Sequence, residues 1–212
     1  AFAKIKVITT TTDLKWAVQQ VGKDKVQVES LLGGTEDPHY MDAMPHFISK
    51  VATADIFCFI GMELEVGWAP KILTRSGNTK VQPGGKGHCD TGKNVNALEV
   101  PTGKIDRSQG DIHPQGNPHY HLSPSHFLQG IQVILDTLIN VDSKNAKTYL
   151  ENFDQLKKKM KSIKAEVQKV LLPLKSQPFM EYHREFTYFL HEYKLINKGA
   201  IEKVPGVPPS AG

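Results

Sequence analysis

Short apolar runs of strand type alternate along this chain with longer stretches of helical period. Lys4–Thr10 is rich in β-branched residues and predicts a strand, and the helix after it ends at Gly22. Val26–Leu32 predicts a second strand, Pro45 opens a short helix, and Ile56–Ile60 predicts a buried third strand. This alternation is typical of a parallel sheet with right-handed crossovers.

Two helices dominate the second half of the sequence. Ser123-Pro124 joins an N-cap residue to a proline at the first helical position. A longer helical pattern covers 142–172, and the lysines on its polar side are interpreted as a solvated face. Its predicted apolar face consists of Leu150, Phe153, Leu156, Met160, Ile163, Val167 and Val170. A strand over 178–182 and a helix over 184–193 follow.

Residues 83–116 differ from the rest of the chain, because Gly, Lys, Asn, Asp and Gln dominate there. This composition predicts a long polar loop, and long loops are commonly functional or disordered. His88 and His113 lie in the loop and are candidates for a weak accessory metal site. The alternative is a polar loop without any site.

The sequence leaves open whether the two cysteines are free thiols or form a disulfide. Cys58 lies within the apolar third strand and is expected to be a buried free thiol that packs as a small apolar residue. Cys89 lies in the polar loop. A disulfide between Cys58 and Cys89 is the alternative in an oxidising compartment, and spacing alone does not decide between them.

Composition and charge exclude some classes of function. The length of 212 residues allows one large or two modest α/β domains. The chain has 26 basic and 22 acidic residues, and so small a positive excess argues against nucleic acid as a partner. No apolar run is long enough to span a bilayer. The opening Ala1-Phe-Ala3 matches the small-residue end of a signal peptide, which suggests export, although a cloning remnant would look the same.

Three histidines provide the candidate chemistry. His39, His119 and His183 each follow or adjoin a predicted strand end, where open α/β sheets place their sites. Neutral imidazole is the commonest side-chain ligand of transition metals, and three imidazoles suit Zn²⁺. His121 lies two residues after His119 and Glu181 two residues before His183, so both are secondary candidates. The sequence therefore predicts a metal site.

Three histidines with an open fourth position also describe catalytic zinc, which activates water. The pair His191-Glu192 lacks the second histidine of a His-Glu-x-x-His motif, and no general base stands at a fixed spacing. We therefore do not expect an enzyme, and a zinc-dependent hydrolase remains the alternative.

Several motifs occur together in a recognisable order. They are Asp37-Pro-His39, Ala54-Asp-Ile56, Ile60-Gly-Met-Glu-Leu-Glu65, Asn117–Pro124, His183–Phe189 and Val204–Ser210. With these motifs the chain resembles the cluster A-I solute-binding proteins of bacterial zinc and manganese ABC transporters. The resemblance covers nearly the whole sequence, and it is the combination of motifs that is specific.

The resemblance implies an α/β fold of two Rossmann-like lobes joined by a long rigid helix, with the metal in the cleft between them. The expected divisions are a first lobe over 1–141, a linking helix over 142–172 and part of a second lobe over 173–212. His39 and His119 stand at the family's first-lobe ligand positions, and His183 at its second-lobe position. Only about one βα unit follows the long helix, so we expect the second lobe to be incomplete here, and the family's distal carboxylate has no counterpart before Gly212.

The resemblance also implies a function. The protein would capture Zn²⁺ outside the cytoplasmic membrane, as a monomer in the periplasm or anchored at the surface, and deliver it to an ABC transporter permease. In this family a glutamate at the position of His183 goes with manganese, so this histidine favours zinc. A manganese receptor or a metal-dependent adhesin is the alternative.

Overall fold

The computed structural model describes residues 4–103, 110, 112–202 and 206–207. Most of the Val204–Ser210 motif, residues 1–3 and part of the predicted polar loop lie outside them. The strands are β1 (Ile5–Thr9), β2 (Val26–Ser30), β3 (Ile56–Phe59), β4 (His88–Asp90), β5 (Pro178–Glu181) and β6 (Ile196–Ala200). In the described part of the chain, the first four form a parallel main sheet in the order β2-β1-β3-β4, and β5 and β6 form a separate parallel sheet.

Helices cover both faces of the main sheet. They are α1 (Thr12–Gly22), α2 (Pro45–Ala52), α3 (Ala69–Ser76), α4 (Pro124–Val141), α5 (Ala146–Leu171) and α6 (Thr187–Tyr193). Side chains alternate across a strand, so Val7 of β1 joins the core beneath α1, α4 and α5, whereas Ile8 joins the core beneath α2 and α3. The predicted α/β class, with a long helix between two parallel sheets, is confirmed.

The start of α4 follows from its sequence. Ser123 has an extended backbone and its hydroxyl accepts a hydrogen bond from the backbone N–H of His126, while Pro124 occupies the first turn. The helix buries one apolar face against the main core. Because this helix begins immediately after His119 and its 3₁₀ turn, its cap also fixes the chain direction at that histidine.

The long helix α5 packs against two separate hydrophobic cores. Its first half buries Tyr149, Phe153 and other apolar side chains in the main core, while Val167 and Leu171 pack against a small core at α6 and the second sheet. Its 26 residues correspond to about 39 Å at 1.5 Å per residue.

Two residues predicted on the apolar face of α5 are exposed. Leu150 is 49% and Val170 is 73% accessible. Leu150 is one position away from Tyr149, which occupies the buried face in its place, and the small second core packs against Val167 and Leu171 instead of Val170.

Helix α6 is attached to the main body by a buried carboxylate. Glu192 accepts hydrogen bonds from the hydroxyls of Ser123 and Ser125 at the start of α4. Its other partner is the Lys164 ammonium of α5, at 2.8 Å. A carboxylate at a helix N-terminus is favourable because the backbone N–H groups there lack helical partners. The segment that carries His183 is therefore held close to the segment that carries His119.

The pattern of apolar and polar residues does not predict three elements of the described fold. The stretch predicted as a polar loop contains β4, which pairs with β3 through His88, Cys89 and Asp90. Helix α3 and strand β6 were also not predicted. A strand of only three residues is too short to show a periodicity, so only its pairing with β3 defines it.

The expectation of a free thiol at Cys58 is wrong. Cys58 and Cys89 are directly paired on the neighbouring strands β3 and β4, their Cα atoms are 4.4 Å apart, and they form a disulfide. The sequence could not decide this point because the position of Cys89 depends on a strand that the pattern did not reveal.

A buried carboxyl group lies at the end of β3. Glu65 accepts hydrogen bonds from the N–H groups of Ile60 at 2.8 Å and Gly61 at 3.1 Å, and from the Thr10 hydroxyl at 2.7 Å. Complete burial nevertheless raises the pKa of Glu65 from 4.5 to about 7.

No helix among the described residues combines the length and hydropathy that a membrane crossing requires.

We expect the disulfide to stabilise the fold by about 2–4 kcal/mol, because it closes a long loop in the unfolded chain. Cys58→Ala, Cys89→Ala and the double variant should all lose the same free energy of unfolding, since each breaks the same bond. Denaturant unfolding with and without reductant measures this. Additive losses, or a wild type that reductant does not affect, would contradict the bond.

Glu65 should make stability depend on pH. Between pH 4.5 and about 7 the folded state holds a proton that the unfolded state has released, so stability is lost as pH rises through this window. Relative to Glu65→Gln, the wild type should lose up to about 1.4 kcal/mol per pH unit there. Unfolding free energies of both proteins from pH 4 to 8 provide the test, and parallel curves would refute the assignment.

Candidate metal centre

Three histidines from distant parts of the chain meet at one point. His39 lies in the loop after β2, His119 begins a 3₁₀ turn before α4, and His183 follows β5. Their candidate ligand nitrogens all lie within 4.8 Å of one another, and the ring centroids are 5.2 to 5.5 Å apart. Since Zn–N bonds are about 2.0–2.1 Å long, this separation is close to what a single ion needs.

His39 is fixed by the residues around it. Both its backbone N–H and its ring Nδ1 donate to Oδ1 of Asp37, at 2.9 and 2.8 Å. The indole N–H of buried Trp68 donates to the carbonyl of Pro38 at 2.7 Å. The Nε2 atom of His39 is buried and has no hydrogen-bond partner within the described part of the chain.

His119 is held in the same way as His39, but by the side-chain amide of Asn117 instead of a carboxylate. Its backbone N–H and its Nδ1 donate to Oδ1 of Asn117, at 2.9 and 3.0 Å. The residue is 6% exposed. Burial lowers the pKa of His119 to about 2, and the neighbouring ring of His39 acts in the same direction. The imidazole is therefore neutral at any ordinary pH, which is the form that binds metal.

His183 is held by an acid from another strand. Its Nδ1 donates to Oε2 of Glu202 at 2.8 Å, and the same oxygen accepts the N–H of Gly206 at 3.0 Å. Glu202 follows β6, and its backbone N–H donates to the carbonyl of Tyr182 at 3.0 Å. The pairing of β5 with β6 therefore positions this acid.

The three rings share one arrangement. A carboxylate or amide oxygen can only accept, so Nδ1 carries the proton in each ring and Nε2 has a lone pair for a metal. An oxygen on the far nitrogen fixes the ring orientation and increases its basicity as a ligand. Asp37 and Glu202 also place negative charge near the centre. The residues present fit a divalent transition metal.

Asn117 connects the loop of His119 to the segment after His183. Its side-chain amide donates to the carbonyl of Arg184 at 2.7 Å, and its backbone carbonyl accepts the hydroxyl of Tyr188 at 2.7 Å. The glycine before it, Gly116, has φ +102, and a Cβ there would lie 2.7 Å from the carbonyl oxygen of Leu98. Glycine is needed at this position because the backbone at Gly116 lies directly against the backbone of Leu98.

His113 and His121 lie near the centre but outside the three-residue cluster. The ring of His113 is 5.6 Å from that of His39, and it lines a cavity of about 270 Å³ beside His119 and His183. The ring of His121 is 6.3 Å from that of His119. Its Nδ1 is buried, with no hydrogen-bond partner among the described residues, and burial lowers the pKa of this imidazole.

His88 and Glu181 have other partners. The ring of His88 contacts the carbonyl of Val81 through Nδ1 at 2.9 Å. Glu181 accepts the backbone N–H of Phe186 at 2.6 Å and the amide of Asn197 at 2.8 Å, so both of its oxygens are used within the second sheet region.

The residues that orient the rings are not among the candidates that the sequence pattern singles out. Asp37 and Asn117 each stand two residues before a candidate ligand, in Asp-Pro-His and Asn-Pro-His, so this repeated spacing was an available signal. Glu202 and Trp68 gave no such signal, because only the folded chain brings them to His183 and Pro38.

Comparison with known proteins gives this site its context. The family described as "ZnuA: Zinc-uptake complex component A periplasmic" matches residues 7–211. The zinc-binding lipoprotein AdcA of Streptococcus pneumoniae is 25% identical over 222 residues, covering all of this chain and 42% of AdcA. The manganese ABC transporter substrate-binding lipoprotein PsaA of Streptococcus pneumoniae is 25% identical over 195 residues, covering 90% of this chain and 59% of PsaA. This chain thus spans about half the length of these relatives.

The fold agrees with the family. A crystal structure of ZnuA superimposes with a TM-score of 0.81 at 22% identity, covering 99% of this chain and 74% of that chain. The family is described as a component of a zinc-uptake complex and PsaA is named as a substrate-binding lipoprotein, so these relatives favour a binding protein over the hydrolase alternative. Because the family match extends over nearly the whole sequence, this chain belongs to the ZnuA family of zinc-uptake components.

Proposed function

We propose that this protein captures Zn²⁺ outside the cytoplasmic membrane and delivers it to the permease of an ABC transporter. The observation that carries the proposal is the geometry of His39, His119 and His183. Each ring has its Nδ1 occupied by an oxygen, and the ligand nitrogens lie within 4.8 Å of one another. The metal is the cargo, so the site has to bind it and release it without chemical change.

The donor set supports zinc as the cargo. Three imidazoles suit zinc, whereas manganese prefers carboxylate and other oxygen ligands. The cluster found among the described residues contains no carboxylate. Manganese is the second candidate, because the similar lipoprotein PsaA is named for that metal.

The disulfide supports a location outside the cytoplasm. Structural disulfides persist in oxidising compartments, and Cys58–Cys89 lies buried between two core strands. Periplasmic and surface-anchored forms both fit this chemistry. The proposed organisation is a first lobe over 1–141, a linking helix over 142–172 and part of a second lobe over 173–212.

Replacing any one of the three histidines by alanine should weaken zinc binding by at least about 100-fold. This exceeds the 10–100-fold that losing a supporting hydrogen-bond partner costs, because a ligand itself is removed. His46→Ala is the matched control, since His46 is exposed and lies on α2, outside the cluster. Isothermal titration calorimetry with Zn²⁺ and with Mn²⁺ measures affinity and metal preference together.

Two results would contradict this assignment. Wild-type affinity in all three alanine variants would show that the site lies elsewhere. A wild type that binds Mn²⁺ more tightly than Zn²⁺ would keep the site but exclude zinc as the preferred cargo.

A further inference from the structure

Glu99 adopts an unfavourable backbone conformation near the metal centre. Its φ is +56°, in the left-handed region that non-glycine residues rarely occupy. Such a conformation persists only when surrounding contacts hold it, and it occurs preferentially at functional sites. Glu99 also lines the 270 Å³ cavity that opens beside His119 and His183.

Among the described residues, the carboxylate of Glu99 has three polar partners. Its Oε2 accepts the side-chain amide of Asn117 at 3.1 Å and the hydroxyl of Thr187 at 3.1 Å. Its Oε1 faces the guanidinium of Arg184 at 3.5 Å. The last contact is long and the Arg184 side chain is half-exposed, so we expect the two hydrogen bonds at Oε2 to matter most.

These three partners belong to the two sides of the metal centre. Asn117 orients His119 through its Oδ1 atom. Arg184 follows His183 directly, and Thr187 begins α6. The carboxylate of Glu99 therefore joins the loop of His119, before α4, to the segment of His183, after α5.

We propose that Glu99 is a positioning residue that holds the segments of His119 and His183 at the separation a metal ion requires. This inference rests on the proposed function. Glu99 acts through hydrogen bonds to Asn117 and Thr187, and it does not belong to the ligand cluster. The strain at its backbone is retained because it brings the carboxylate between the two segments.

The test uses three variants. Glu99→Gly removes all three contacts and relieves the left-handed backbone. Glu99→Gln keeps an oxygen that can accept from Asn117 and Thr187. Glu63→Gly is the matched control, because Glu63 is also a glutamate in the left-handed region, with φ +66°, and it lines a different cavity.

Zinc affinity and zinc release are measured by titration and by transfer to a chelator. For Glu99→Gly we expect about tenfold weaker zinc binding, the lower end of the cost of supporting contacts, with a thermal midpoint of the metal-free protein at or above that of the wild type. Glu99→Gln should bind zinc within about threefold of the wild type. Glu63→Gly should bind zinc as the wild type does.

Wild-type affinity in Glu99→Gly would overturn the proposal. An equal loss in Glu99→Gln would overturn it too, since the negative charge and not the hydrogen bonds would then be responsible.

A second measurement does not need metal. In the metal-free protein, Glu99→Gly should speed amide hydrogen exchange at His119, whose N–H is held by Asn117. Unchanged exchange there would also overturn the proposal. A wild type that binds no zinc would instead refute the proposed function and leave the exchange result to decide the role of Glu99.

Discussion

The buried side chain of Asn117 is the link on which the metal centre depends. Its oxygen receives both N–H groups of His119, while its nitrogen donates to the carbonyl of Arg184, next to His183. A buried amide that lost these partners would cost about 1–3 kcal/mol for each unsatisfied group. The hydrogen bonds of Asn117 therefore stabilise the association of the His119 loop with the segment that follows His183. Among the described residues, Tyr188, Glu99 and Thr187 are further partners of this side chain and its backbone carbonyl.

The supporting hydrogen bonds also suit the proposed binding of a doubly charged ion by neutral ligands. The three imidazoles carry no charge when they bind, but Asp37 and Glu202 stand directly behind two of them. Their negative charge increases the basicity of the ring nitrogen that faces the metal. Because the ligands come from three separate segments, metal affinity is coupled to how these segments associate. Under the proposed function, loosening these segments would favour release of the metal.

Much of the fold could be predicted from local pattern. The apolar runs gave β1, β2 and β3, and the cap at Ser123-Pro124 gave the start of α4. The three histidines that meet in the structure were singled out by their strand-end positions, and the family resemblance gave their register. Strand β4 was missed because its three residues have no period, and the disulfide was misjudged for the same reason.

The sequence by itself determined the class of the fold, the main helices and the residue type that makes up the candidate site, because periodicity, capping and side-chain chemistry are local properties. Local spacing already places Asp37 and Asn117 beside His39 and His119, but only the tertiary structure decided which group stands behind His183. Glu202 reaches His183 through strand pairing, and Glu99 reaches Asn117 and Thr187 through a left-handed backbone turn. Such contacts depend on the register of strands and the packing of distant segments, and these carry no local signature in the chain.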